Sequence, residues 1–422
     1  MKNSFLVVFA LLLLCARVNS QPKVGPCDIF PANNPWNVDV SDTVKYPTNK
    51  LSDTYIAHLN ANRGGRRYLH PDFGHDSTYG IPYEVVSGSQ PFVTITYNAY
   101  GDQSDPGPYP IPPDALVEGG ANSGGDQHVL VVDTGNCVLY ELYSSTKNPD
   151  NSWTAASGAV FDLSANHYRP DTWTSADAAG LPIYPGLVRY DEVQSGEIKH
   201  AVRFTTDTTS RAWIFPARHH AGSRNDTTWP PMGLRLRLKA GFDLSPYKGQ
   251  VLVILKALKK YGMILADNGS GWFISGSTDT RWNDDTLSAL KNVLGSAFEV
   301  VDMGYRIETD NDTITLPGDS LPVTQTPVRE VQTSSQNISL SQNAPNPFGE
   351  MTNVEYRIPN NEKITLNVYN ALGRQVAELV NGFMGGGEHM AVFNAAGLPG
   401  GVYIVRLQAD GAVVQRMMQV LR

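Results

Sequence analysis

The chain of 422 residues is longer than one typical domain, and 41% hydrophobic content beside only 18% charged residues excludes a disordered chain. A formal charge of -8, with no Lys/Arg-rich tract, excludes nucleic acid as a partner. The 38 Gly and 28 Pro, with 19 Tyr and 7 Trp, point to short strands separated by many turns.

Residues 1–20 read as a signal peptide. Lys2 supplies the positive end, Phe5 to Leu14 form an apolar stretch, and Val18 and Ser20 are small enough for a cleavage site. Gln21 is then the expected mature start. The competing reading is an uncleaved anchor, but the run is short for a bilayer. Cys15 follows Leu14 rather than a small residue, which argues against a lipid-modified cysteine. Cleavage leaves Cys27 and Cys137. In an exported protein these are expected to pair and pin the mature N-terminus to a strand; two separate buried thiols are the alternative.

Residues 21–305 form one long block holding all the tryptophans: Trp36, Trp153, Trp173, Trp213, Trp229, Trp272 and Trp282. Leu51 to Leu59 is a candidate helix with Ser52 as a possible N-cap. His128–Asp133 and Cys137–Tyr143 flank a turn containing Gly135 and read as a hairpin. Glu197–Thr206 reads as a strand with His200 on the side of Ile198, Val202 and Phe204. Gly233–Lys239 alternates, with Leu234, Leu236 and Leu238 on one face and Arg235, Arg237 and Lys239 on the other. Val251 to Tyr261 has apolar residues at helical spacing, with Gly262 at the C-cap. Thr286 to Leu294 is a third helix, entered through Asp284 and Asp285 and closed by Gly295. The expected fold is mainly β: a β-sandwich or jelly-roll-like body with a few packed helices. Residues 306–339 are rich in Thr, Asp, Ser, Gln and Pro and read as a linker.

The last block, 340–422, has neither Trp nor Cys. In order it carries "QNAPNPF" (Gln342–Phe348), "ITLNVYNALGRQV" (Ile364–Val376), "LPGGVYIVRL" (Leu398–Leu407) and the basic, apolar end "QRMMQVLR". This block resembles the C-terminal sorting domain of the type IX (Por) secretion system. The resemblance covers about a fifth of the chain. It implies a seven-stranded Ig-like sandwich recognised by the outer-membrane secretion machinery, and a protein secreted or attached to the cell surface. The residues agree with that fold. Leu366 and Val368 alternate with Thr365, Asn367 and Tyr369, and Gly373 and Gly400–Gly401 fall where tight turns are needed. An ordinary Ig-like binding module is the alternative.

The long block contains no G-x-S-x-G, H-E-x-x-H, Walker loop or dinucleotide fingerprint. Its distinctive segments resemble those of uncharacterised secreted proteins, which adds nothing about chemistry. Four polar clusters remain. His70, Asp72 and His75, with Asp76, supply metal-ligand types, but their spacing is not a recognised zinc pattern, so no metal is assigned. Glu118, Asp126 and His128 flank a Gly-rich stretch. Asp177, Asp191, Glu192, His200 and Arg203 fall in the next cluster, where Asp177 and Glu192 fit the paired carboxyls of glycoside hydrolysis. Asp191 and Glu192 would face opposite ways on a strand, so only one can reach a cleft. The fourth cluster is Arg218, His219 and His220. His219 suits acid–base work. Arg218, Arg235, Arg237 and Lys239 suit a cationic wall for uronate or sulfate groups. Finally, Trp173, Trp229, Trp272 and Trp282 lie in Gly/Asp-rich surroundings, as sugar-stacking residues do.

These readings converge on a carbohydrate-active exported protein with a polysaccharide substrate. The catalytic set is Asp177, Glu192, Asp126, His128, His200 and His219. The substrate-binding set is Trp173, Trp229, Trp272, Trp282, Arg203, Arg218, Arg235 and Arg237. A polysaccharide lyase using His and Arg is the second enzyme reading. A non-catalytic glycan-binding or adhesive module is the third.

Overall fold

The computed structural model describes residues 21–76, 78–120, 123–309, 338–358, 362–370, 374–409 and 412–421. The signal peptide, most of the linker and Gly373 lie outside them. The described residues fall into two compact units, 21–309 and 338–421. Both are rich in strand, so the chain is mainly β. Among the described residues no helix is long and apolar enough to cross a membrane.

The larger unit is built on a six-stranded sheet. Its order is Phe298–Val300, Arg235–Leu238, Met263–Asn268, Val202–Thr206, Phe273–Ser275 and His70–Asp72. The sheet is mixed: Val202–Thr206 runs parallel to Met263–Asn268, and Phe273–Ser275 runs parallel to His70–Asp72. A four-stranded sheet contains the expected hairpin, Val129–Asp133 paired antiparallel with Val138–Tyr143. It too has a parallel edge, formed by Glu84–Val86. The parallel pairs distinguish this body from an all-antiparallel jelly roll, whose strands join through hairpins.

Among the described residues, four α-helices accompany the sheets. Helix α1 is Ser52–Asn60, α2 is Tyr190–Ser195, α3 is Gly249–Lys260 and α4 is Asp284–Leu287. Ser52 does not cap α1; its hydroxyl accepts from the Val300 N–H at 3.0 Å and ties the helix to the sheet. The α3 C-terminus is as expected. Gly262 has φ +72°, and a Cβ there would lie 2.1 Å from the Leu236 carbonyl oxygen. The expected third helix is shorter than its pattern. Asn283 caps α4 by accepting from Thr286 N–H, and a 3-10 turn over Ser288–Asn292 follows. Residues 197–201 are not strand, so the strand there starts at Val202.

Two findings concern the core. Cys27 and Cys137 form a disulfide with Cα atoms 5.5 Å apart, which anchors the N-terminal segment at the start of the Val138–Tyr143 strand. Arg235–Leu238 is buried on both faces. Arg235 donates to the carbonyls of Tyr261, Pro35 and Val38, at 3.0, 2.6 and 2.9 Å. Arg237 donates to Val40 and Tyr46 carbonyls and pairs with Glu299 at 2.7 Å. The N-terminal segment covers the face that alternation had assigned to solvent, so these arginines form no cationic wall.

The smaller unit is the expected seven-stranded antiparallel sandwich. One sheet holds Ser339–Leu340, Met351–Ile358 and Gly387–Asn394. The other holds Gln375–Met384, Glu362–Asn370, Gly401–Ala409 and Ala412–Val420. Val354, Tyr356 and Ile358 from the first meet Leu366, Val368, Val405 and Leu407 from the second in one core.

Candidate functional site

The site grows from strand ends of the six-stranded sheet. Arg203 lies on Val202–Thr206, whose register with Met263–Asn268 shifts after Phe204 and sets Thr205 opposite Asp267. Ser275 ends the neighbouring strand and pairs in register with Asp72. Asp177 enters from the segment that follows Trp173, and its carboxylate is wholly buried.

Arg203 is the hub. Its Nε and Nη2 donate to the two oxygens of Asp177 at 2.7 and 2.8 Å, a bidentate pair. Nη2 also reaches Asp267 Oδ2 at 3.1 Å, and Nη1 donates to Ser275 Oγ at 2.5 Å. One planar fork therefore ties together three segments far apart in sequence. Burial opposes the Arg203 charge, but Asp177, Asp267 and Glu118 outweigh it and raise its pKa.

His128 is the second cation. It immediately precedes the strand Val129–Asp133, is buried, and its Nδ1 lies 2.6 Å from Glu118 Oε2. Its Nε2 lies 3.0 Å from the Ala176 carbonyl, next to Asp177. Both neighbours are acceptors, so the ring has reason to carry two protons. Burial works against that charge, but Glu118 and, more weakly, Asp126 raise the pKa to about 9. Glu118 shows the converse: burial raises it, and His128 outweighs burial to bring it below its usual range.

Three further carboxyls sit in this field. Asp267 keeps 18% of its side-chain surface exposed. Burial first, then the charge of Asp177, hold its pKa well above the carboxylate range, against the pull of Arg203 and His128. Asp72 is pushed up to about 6 by burial, with Glu118 and Asp126 adding and Arg203 opposing. Glu141 is fully buried and pushed up to about 7 by burial. It accepts from the backbone N–H groups of Ile183 and Tyr184 at 2.9 Å, a structural role. Asp126 is exposed at the rim. Tyr143 is half-buried within the field of Asp126, Asp267 and Tyr100, and its ring centre is 5.6 Å from that of His128. Tyr100 itself is 47% exposed.

The structure thus brings together Asp126, His128, Asp177 and Arg203. Glu118 joins them from its own sequence cluster and Asp72 from the His70–Asp76 cluster, and the structure adds Asp267 and Ser275. Asp267 carried a sequence signal: it ends a run of buried apolar residues, Met263–Ala266, at a strand terminus. Glu141 carried one too, as a lone acid inside an apolar strand.

Glu192 belongs elsewhere. Residues 190–195 are helix α2 rather than strand, so Asp191 turns out to Arg281 at 2.8 Å while Glu192 turns inward. Glu192 meets Arg189 at 2.8 Å and His200 at 3.1 Å, and His200 Nδ1 bonds the Ala201 carbonyl at 2.7 Å. The three residues lock α2 onto the segment before Val202. His219 Nδ1 lies 2.8 Å from the Ala178 carbonyl, beside Asp177, and Arg218 pairs with Asp171 at 2.7 Å.

The aromatic set divides. Trp272 and Trp282 are 1% and 3% exposed and belong to the core, where no sugar can reach their faces. Trp229 and Trp173 are half-buried; Trp229 stacks near His58 and under Arg224, and Trp173 lies under Arg169. His70, Asp72 and His75 do not converge. His70 stacks on Phe273 at 4.2 Å, while the His75 backbone N–H bonds Asp284. Among the described residues no three His, Cys, Asp or Glu side chains are placed to hold a metal ion.

Residues 344–420 match the family model described as the secretion system C-terminal sorting domain. The C-terminal unit is therefore a type IX sorting domain, and the protein is exported by that machinery to the medium or the cell surface. No curated protein matches the chain.

Proposed function

We propose that the exported body hydrolyses glycosidic bonds by carboxyl acid–base chemistry centred on Asp267 and Asp126. The observation that carries this reading is Asp267, a partly exposed carboxyl at the mouth of the Arg203 hub whose pKa is held well above the usual range by burial and by the neighbouring Asp177. A neutral acid beside an ionised partner is what glycosidic cleavage requires. Asp267 would give its proton to the leaving oxygen as the glycosidic C–O bond breaks. Asp126, at the rim, would take a proton from the water whose oxygen bonds to the anomeric carbon. Tyr143, half-buried in the field of Asp126 and Asp267, would supply the aromatic ring for the apolar face of a sugar. Asp177 and Glu192, the carboxyl pair suggested by spacing, are each committed to buried cations. A lyase would need cations free to neutralise a uronate, and Arg235 and Arg237 are spent on the core.

The test is a panel of polysaccharides incubated with the mature protein and read by new reducing ends. Cleavage of at least one neutral glycan is expected. Asp267→Asn should lower that rate at least 100-fold, on the scale of lost general acid catalysis. Full activity in Asp267→Asn would refute the assignment. Binding of a glycan without cleavage by the wild type would instead favour the adhesive module.

A further inference from the structure

We propose that Arg203 and Asp177 form a positioning pair that aims the Asp267 carboxyl into the site, and that Asp177 is not itself the acid. The inference rests on the hydrolase reading for its kinetic consequence, but its geometry stands alone. Asp177 has no exposed surface, and both its oxygens are taken by one guanidinium. Asp267 meets the same guanidinium through a single oxygen at 3.1 Å and keeps surface open. The second edge of the fork is fixed by Ser275. The planar group can therefore neither rotate nor follow a moving partner. Two aspartates share one cation, but asymmetrically: one is consumed by it and the other is only steered.

The charged and titratable groups acting on Asp267 are Asp177, Arg203, His128 and Asp126, and Tyr143 lies in its field. Asp177 pushes its titration up, while Arg203, 3.1 Å away, pulls it down. Removing either member of the pair should therefore move Asp267 in opposite directions. The titration shows whether both groups act on Asp267, and the rate profile shows whether that action governs turnover.

The experiment uses the full mature chain with carboxyl-labelled aspartate, followed by NMR against pH. Asp267 is assigned by the signal lost in Asp267→Asn. Asp177→Asn should lower the Asp267 titration, and Arg203→Gln should raise it. Either single change leaves a buried charge without its bidentate partner, which can unfold the protein; the double variant Asp177→Asn/Arg203→Gln removes both charges together and avoids this. In it the titration should lie between those of the two single variants. An unmoved titration, or a shift of the same sign, in both single variants overturns the proposal; so does a double-variant titration outside the range set by the two single variants.

The kinetic arm uses whichever glycan the panel shows to be cleaved. A downward move of one pH unit in Asp267 should cut the rate on the alkaline side of the profile about tenfold, with the acid side little changed. If no glycan is cleaved, the hydrolase reading fails while the titration still decides the pair. If the titrations behave as expected but Asp267→Asn stays active, the pair stands and the acid assignment falls.

Discussion

Glu118→Gln should remove most of a pH-dependent stabilisation of the larger unit. The pair it breaks is Glu118–His128, 2.6 Å apart with the imidazole side 2% exposed. Folding raises the His128 pKa from 6.5 to about 9, because the adjacent carboxylate outweighs burial. A group raised on folding binds its proton more tightly in the native state. Its contribution is full below the unfolded value and is lost as pH climbs through the folded one. From 6.5 to about 9, the full contribution is about 3 kcal/mol, counted once for the pair. Between about pH 7 and 9.5 the wild type should then lose about 2 kcal/mol of stability from this pair alone. Glu141 and Asp72 also carry raised values, about 7 and about 6, but they titrate below most of that window. All the tryptophans belong to the larger unit, so urea titrations read by Trp fluorescence report on it selectively. Wild type and Glu118→Gln should differ by about 3 kcal/mol near pH 6 and converge by about pH 9.5. A constant offset between the two across that range would refute the linkage.

Three further outcomes follow from the packing. Replacing both Cys27 and Cys137 by Ala opens a loop closed over 110 residues and should cost about 4–5 kcal/mol in the same urea assay, on the chain-entropy view. Leu366→Ala in the sorting domain leaves a hole at a fully buried position and should cost roughly 2–5 kcal/mol. Its export should fall, with cargo accumulating inside the outer membrane by immunoblot of cell fractions; wild-type export would show that the fold of this unit is not what the machinery reads. Trp282→Phe removes a core ring whose Nε1 donates to the Ser277 carbonyl at 2.9 Å. It should lower stability by about 1–3 kcal/mol and leave glycan affinity unchanged, whereas a specific loss of affinity would restore Trp282 to the binding set.

How much of this was legible depended on whether a feature is local. The sorting domain was legible because its motifs come in order along a short stretch, and its strands carry their own period: Leu366 and Val368 face in. The Val129–Asp133 hairpin and α3 were legible for the same reason. The site was half legible. Asp126, His128, Asp177 and Arg203 announced themselves as polar groups beside apolar runs. Nothing local joins Arg203 to Asp267, 64 residues on, or to Ser275, 72 residues on. Those contacts exist because strands distant in sequence are neighbours in a mixed sheet. The pairing of Asp177 with Glu192 failed for a related reason. Fifteen residues of spacing says that two acids can meet, but residues 190–195 coil into a helix that turns Glu192 toward Arg189 and His200.

The arginines show why period alone misreads a face. Arg235 and Arg237 alternate with leucines as solvent-facing residues do, yet the segment from Pro35 to Tyr46 lies over them and supplies carbonyl acceptors. What separates Arg235 from Arg203 is the chemistry of its partners. Carbonyls do not titrate between pH 5 and 8, whereas the carboxyls around Arg203 include one held well above its usual range. Arg235→Met should therefore cost about 3 kcal/mol, roughly 1 kcal/mol for each of the three carbonyls it abandons, and the cost should not vary across that pH range. Arg203→Gln should instead destabilise by an amount that grows with pH, because Asp267 is left to ionise without the cation that pulls its pKa down. Parallel urea titrations of the two variants at about pH 5 and pH 8 decide it. Equal pH dependence in both would mean that the Arg203 hub is only another structural clamp, and the case for chemistry at Asp267 would lose its foundation.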